Sequence, residues 1–141
     1  MAEGLKIEIV SPERLVLSEV ATSVTVPGTE GYFTVMADHA PFMTTLRSGF
    51  ITVTAANGQS NVYFVQGGFA DVSPEGLTIL AEKSTPFAEF DHASLSAQIK
   101  DAEAQLAAAQ SPEDKSFAQE IVSGLANLAI EAGQLNGGHV H

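Results

Sequence analysis

Cysteine is absent from the chain, which excludes a disulfide framework, a thiolate nucleophile and any cysteine-based zinc site. Positive charge is scarce, with six Lys and Arg against 17 Asp and Glu and a net charge of −11. Such a chain repels phosphate backbones and anionic headgroups, so neither a nucleic-acid partner nor direct lipid insertion is expected. No stretch approaches the roughly 18 consecutive apolar residues of a membrane-spanning helix. The opening residues Met1 to Lys6 show neither a basic-then-apolar signal pattern nor an Arg/Ser-rich transit pattern, and the expectation is a soluble protein that stays where it is made. Density of charge is lacking too. Only 16% of the 141 residues are charged against 45% hydrophobic, which excludes disorder for most of the chain and suffices for one real core.

From Leu5 to about Glu82 the apolar residues recur at every second position. Leu5, Ile7 and Ile9 do so first, then Val24 and Val26, then Ile51, Val53 and Ala55, then Leu77, Ile79 and Ala81. Period two is strand periodicity. Turn signals separate the runs: Ser11-Pro12-Glu13, Pro27-Gly28-Thr29-Glu30-Gly31, Asn57-Gly58, Gly67-Gly68 and Ser73-Pro74-Glu75-Gly76. Asn57-Gly58 predicts a two-residue type I′ hairpin turn, which needs positive φ at both centres. Many short strands with frequent turns predict an antiparallel β-sandwich over residues 1–86.

Beyond Pro86 the period changes to that of a helix. Leu95, Ile99, Ala102 and Leu106 mark one helix over 91 to about 109 with Asp91 as N-cap. Ser111-Pro112-Glu113-Asp114 opens a second, with a stripe of Phe117, Ile121, Leu125, Leu128 and Ala132 and a stop expected at Gly133. The short connection makes residues 87–135 an antiparallel helical hairpin. Alanine dominates the first helix, so the hairpin buries little and is expected to lie against the sandwich or another protein. Residues 136–141 read as a frayed tail.

No catalytic set emerges. His139 and His141 sit in the tail without a partner at fixed spacing, and His92 opens a helix facing solvent. Asp38 and His39 are adjacent, and adjacent side chains seldom face one another; a loop or contact role suits His39 better than general-base work. Gly67-Gly68 follows a strand but no Lys-Ser/Thr and no helix follow it, which excludes a phosphate loop and predicts a structural turn or bulge. No enzyme, metal or cofactor is expected, and the residues by themselves point to a sandwich with a helical hairpin that binds another protein.

The ordered set Ile7-Glu8-Ile9-Val10-Ser11-Pro12, Gly28-Thr29-Glu30-Gly31, Asp38-His39-Ala40-Pro41-Phe42-Met43-Thr44 and Phe64-Val65-Gln66-Gly67-Gly68-Phe69, followed by an alanine-rich hairpin, resembles the epsilon subunits of F-type ATP synthases over residues 5 to about 135. The mitochondrial counterpart, named delta, shares the pattern, and the missing transit pattern favours a bacterial protein at the cytoplasmic face of the inner membrane. The resemblance implies a ten-stranded sandwich with a two-helix C-terminal domain, in a central-stalk subunit that catalyses nothing. Such a subunit binds gamma and rests on the membrane rotor ring, so that proton-driven rotation reaches the catalytic head. Carried onto this chain, Glu30, Gly31 and Tyr32, with His39, Ala40, Pro41 and Phe42, match stretches used near the ring and gamma. Glu30 suits basic ring loops, while Pro41, Phe42 and Met43 offer an apolar patch; Phe42 and Met43 fit an ordinary core position equally well.

Two departures qualify the resemblance. Members that bind ATP carry Asp-x-x-Arg-Ala at the start of the first helix, where this chain has Asp91-His92-Ala93-Ser94-Leu95. Asp91 and Ser94 therefore form a degenerate nucleotide motif that lacks its guanidinium, which argues against the alternative of a stand-alone ATP-sensing module. Inhibitory members set basic helices against an acidic segment of the beta subunit. Residues 88–141 here hold two basic and eight acidic residues, a balance of −6, so the hairpin is expected to stay folded, to touch beta only if it extends, and to inhibit weakly or not at all.

Overall fold

In a computed structural model, which describes residues 4–37 and 40–138, the alternating runs become ten strands. They are β1 (Leu5–Ser11), β2 (Arg14–Ala21), β3 (Ser23–Gly28), β4 (Gly31–Met36), β5 (Phe42–Thr45), β6 (Gly49–Thr54), β7 (Ser60–Gln66), β8 (Phe69–Ser73), β9 (Gly76–Leu80) and β10 (Lys83–Pro86). A first sheet has the order β2-β1-β9-β8-β5 and a second the order β10-β7-β6-β3-β4. Hairpins β1–β2, β3–β4, β6–β7 and β8–β9 turn at the expected Pro, Gly and Asn signals, and every other connection carries the chain from one sheet to the other. The inner faces interlock: Ile7, Ile9, Val24, Val26, Ile51, Val53 and Ile79 are fully buried, as period-two patterning requires of two sheets sharing a core.

One pair departs from an antiparallel arrangement. β1 runs parallel to β9, with Ile7 opposite Leu77 and Ile9 opposite Ile79. Four of the five strands of the second sheet lie between these strands in sequence, supplying the long crossover that parallel pairing needs and a hairpin cannot provide.

The Asn57-Gly58 turn also differs from the two-residue form. Thr54 pairs with Ser60, the Ala55 amide donates to the Gln59 carbonyl at 2.8 Å, and the Gly58 amide donates to the Ala55 carbonyl at 2.9 Å. The loop is therefore three residues, Ala56 to Gly58, with the positive φ of +87° on Gly58 as its last member. Asn57 contributes through its side chain, whose Oδ1 accepts the Gln59 amide at 2.9 Å.

Tyr63 packs at the margin of the core. Partial burial, and then the charge of Glu19, push its hydroxyl above the ordinary value of 10.0. The folded state thus holds that proton more tightly than the unfolded chain. This contribution is complete below the unfolded value and is lost as pH rises through the raised folded value. Urea midpoints measured from about pH 9 to 11 should fall less steeply for Tyr63→Phe than for the parent; equal slopes would contradict the assignment.

The chain divides into two compact units, Met1–Phe90 and Asp91–His141. Within the first, a single 3-10 turn (Phe87–Glu89) follows β10, and Phe87 and Phe90 set their rings 5.5 and 5.3 Å from that of Phe50. Phe90 also lies 5.0 Å from Phe64, so this aromatic cluster ties the end of the unit to the outer face of the second sheet.

The second unit is the expected pair of helices, α1 (His92–Ala108) and α2 (Pro112–Gly138). Asp91 caps α1 by accepting the Ser94 amide at 2.8 Å, and Ser111 caps α2 through the Asp114 amide at 3.0 Å. Two details correct the sequence reading. The helix continues through Gly133, which has no positive φ; glycine weakens a helix but stops it only when it adopts the left-handed cap. The buried seam uses Leu95 and Ala102 of α1 with Ala118, Leu128 and Ala132 of α2, so Ala118 takes the place expected for Phe117. Leu128 and Ala132 of the expected stripe are buried, and only in the first turns of α2 is the buried position displaced by one residue, which leaves Phe117 outside. His139 and His141 lie outside the described residues.

Candidate functional site: one corner and one face of the sandwich

The β3–β4 turn and the segment leaving β5 come from sheets on opposite sides of the core, yet they meet at one corner. Thr29 at the turn bonds Thr45 at the end of β5 through hydroxyl to hydroxyl at 2.6 Å and hydroxyl to carbonyl at 2.8 Å. Gly28 forms an isolated bridge with Leu46, and the Arg47 amide donates to the Pro27 carbonyl at 3.1 Å. Turn and strand end are thereby locked into one surface.

On that surface Glu30 and Gly31 form the exposed tip. The Tyr32 hydroxyl accepts the Phe50 amide at 3.0 Å, while the Arg47 guanidinium lies 4.8 Å above the Tyr32 ring centroid. Tyr32 is thus held as an upright ring with one face covered by a cation. Ala40 and Pro41 are exposed, and Phe42 sets its ring 5.4 Å from that of Phe33. His39 lies outside the described residues. Phe42 is half inside the sandwich and half out; Met43, one residue on, points the other way and is 64% exposed, so it is no core residue.

Asp91 and Ser94, the degenerate nucleotide motif, are brought together as a helix cap, with the Asp91 carboxylate occupied by the Ser94 amide. This arrangement does structural work that needs no ligand. Among the described residues, no group of three His, Asp or Glu is placed to hold a metal ion.

Sequence reasoning missed an apolar row across the first sheet. On the outer face of the first sheet, Leu15 of β2 stands opposite Val10 of β1, Val10 opposite Leu80 of β9, Leu80 opposite Phe69 of β8, and Phe69 opposite Thr45 of β5. A row without charge therefore crosses all five strands, with Leu15 57%, Leu80 49% and Phe69 47% exposed. Met43 lies beside its β5 end. A contiguous apolar band of this kind is the sort of surface that a partner protein covers. A signal was available in the sequence: Ile9-Val10 and Ile79-Leu80 are adjacent apolar pairs in otherwise alternating strands, so one member of each had to face outward.

The family model for the beta-sandwich domain of the ATP synthase delta/epsilon chain matches residues 4–86. Relatives named ATP synthase epsilon chain include those of Mesorhizobium japonicum, 46% identical over 128 residues (91% of this chain and 95% of the relative), and Sinorhizobium medicae, 47% identical with the same coverage. Among solved structures, a chain of the Euglena gracilis mitochondrial ATP synthase assembly containing OSCP, F1 and the c-ring superposes with a TM-score of 0.73 at 20% identity, covering all of this chain and 84% of that one. A chain of the Tetrahymena thermophila mitochondrial ATP synthase central stalk and c-ring superposes with a TM-score of 0.63 at 14% identity, over 89% of this chain and 96% of that one. These structural likenesses show a shared fold.

Proposed function

Because this chain belongs to the ATP synthase delta/epsilon family, as an epsilon chain, we propose that it is a non-catalytic central-stalk subunit that joins gamma to the membrane rotor ring. The observation that carries this reading is the uncharged row from Leu15 to Phe69 on the first sheet, which fits an apolar surface of gamma. The turn of Glu30, Gly31 and Tyr32 and the segment from His39 to Phe42 are the two parts assigned to the ring and gamma, where Glu30 can pair with basic loops and the aromatic rings supply rigid contact. Rotation transmits torque only through a body that does not deform. A close-packed sandwich whose corner is stitched by Thr29 and Thr45 meets that requirement.

The site of action is then the cytoplasmic face of a bacterial inner membrane. No described helix is long and apolar enough to cross a membrane, and attachment through gamma and the ring requires none. A tagged full-length chain should bring down gamma and the catalytic subunits from gently washed membranes. Recovery only as a free monomer would end the proposal.

The hairpin is assigned a small role in regulation. Its two basic and eight acidic residues over 88–141 oppose insertion toward an acidic segment of beta, where each like-charge contact costs on the order of 1 kcal/mol or more. Deleting residues 88–141 should leave ATP hydrolysis by the assembled enzyme nearly unchanged. A several-fold rise with assembly intact would show that the acidic hairpin inhibits after all.

A further inference from the structure

In its first turns, where the seam runs through Ala118, α2 leaves large apolar side chains partly in water. Phe117 is 68% exposed, and Ile121, one turn on, is exposed beside it. Gly124, a further turn along, has nothing within 4 Å of where a Cβ would stand, so a partner's backbone can come close at that point. The spacing i, i+4, i+7 makes these three residues a continuous ridge, the pattern that a groove or a second helix reads.

The charges beside the ridge all have one sign. Glu113 and Glu120 fall along one flank within about 60° of Phe117 around the helix, and Asp114 falls on the other flank; all three are exposed. Lys115, the sole basic residue of α2, projects from the opposite side of the helix at about 160° from Phe117. A second copy of this hairpin would set carboxylates against carboxylates, which excludes self-association as the use of the ridge. An acidic partner is excluded on the same ground.

We infer that Phe117, Ile121 and Gly124, flanked by Glu113, Glu120 and Asp114, form a docking ridge for a cationic amphipathic helix of a partner protein. Leucine-like side chains of that helix pack over Phe117 and Ile121, and its Lys or Arg residues pair with the glutamates at the rim. The apolar contacts supply affinity, while the carboxylates select the sign of the partner and speed its approach.

The probe is an amidated peptide of about five helical turns with leucine on one face and lysine on the other, titrated into the isotope-labelled full-length chain and followed by amide NMR shifts. Shifts should concentrate in residues 113–124 of α2. The single variant Phe117→Ser, at a side chain 68% exposed, should weaken binding several-fold with helix content and melting unchanged, and the double variant Phe117→Ser/Ile121→Ser should weaken it by roughly tenfold or more, with some loss of melting temperature because Ile121 is only 37% exposed. Glu113→Gln/Glu120→Gln should weaken it several-fold at low salt and remove most of its salt dependence. A counterpart peptide with glutamate in place of lysine should not bind. The inference is overturned if either serine variant binds the lysine peptide as the parent does, or if the acidic peptide binds equally. Shifts confined to the outer face of the first sheet would overturn it too, as would concentration-dependent shifts at 113–124 without peptide, which would make a second copy the occupant.

Discussion

Replacing Phe69 and Leu80 together by aspartate is expected to abolish binding to gamma while the subunit itself stays folded. The two side chains stand opposite one another on β8 and β9 and are each about half exposed, at 47% and 49%. In the free subunit the half of each side chain that is already covered is lost too, so the substitution costs on the order of 2 to 4 kcal/mol of stability, including the like-charge cross-strand pair it creates. Against an apolar partner surface the balance is different. Each truncation forfeits about 1 to 2 kcal/mol of apolar burial, and each carboxylate adds a further desolvation cost of about 1 to 3 kcal/mol. The sum exceeds roughly 4 kcal/mol, or about a thousandfold in affinity. Titration calorimetry with purified gamma measures this directly, and thermal melting of the variant checks that the sandwich survives. Affinity retained within a few fold would mean that the row across the first sheet is not the docking face.

Gly68→Ala is expected to destabilise the sandwich unit severely, by about 2 to 6 kcal/mol. A Cβ built at this position would lie 2.0 Å from the Leu80 carbonyl oxygen and 2.8 Å from the Ala81 Cα, and the backbone there has φ +110°. Both neighbours are main-chain atoms of the β9 exit, which cannot rotate aside as a long side chain can. The Gly68 carbonyl also receives the Leu46 amide at 2.9 Å, so a shift of this crossover disturbs the link between β5 and β6 as well. Overpacking of 1 to 3 kcal/mol and a strained dihedral of similar size add to about 2 to 6 kcal/mol, a large part of the roughly 5 to 15 kcal/mol that such domains possess. Urea unfolding followed by circular dichroism should show a sharply lower midpoint or no folded baseline. Gly133→Ala is the matched control, because nothing lies within 4 Å of its Cβ position and the site is helical; it should gain up to about 1 kcal/mol. Similar midpoints for Gly68→Ala and the parent would show that the crossover has room after all.

The strands, most of the turns and both helices were legible in the order of residues because each is a local matter. Ile7 and Ile9, or Ile51 and Val53, announce an inward face by period alone. Asp91 and Ser111 announce caps because a carboxylate or hydroxyl there satisfies an amide that the helix leaves free. The glycine pair at 67 and 68 was recognisable as a place where side chains are not tolerated, although not which backbone would pass there. Family membership was legible too, since it rests on motifs in sequence order.

Other properties depend on which strands become neighbours, and no local pattern carries that information. β1 pairs with β9 in parallel across a long sequence separation, and only this pairing places Val10 beside Leu80 and so joins two unremarkable outward residues into a band across the sheet. The meeting of Thr29 with Thr45, which welds the turn at Glu30 to the strand of Phe42, likewise required both sheets to be assembled. That Ala118 and not Phe117 is buried in the first turns of α2 was decided by tertiary packing. Periodicity locates an apolar face to within about one residue's rotation, and packing distance selects the line of contact within it. Sequence alone determined what each segment is; tertiary structure decided which surfaces those segments leave for partners, because a surface is made of residues far apart in the chain.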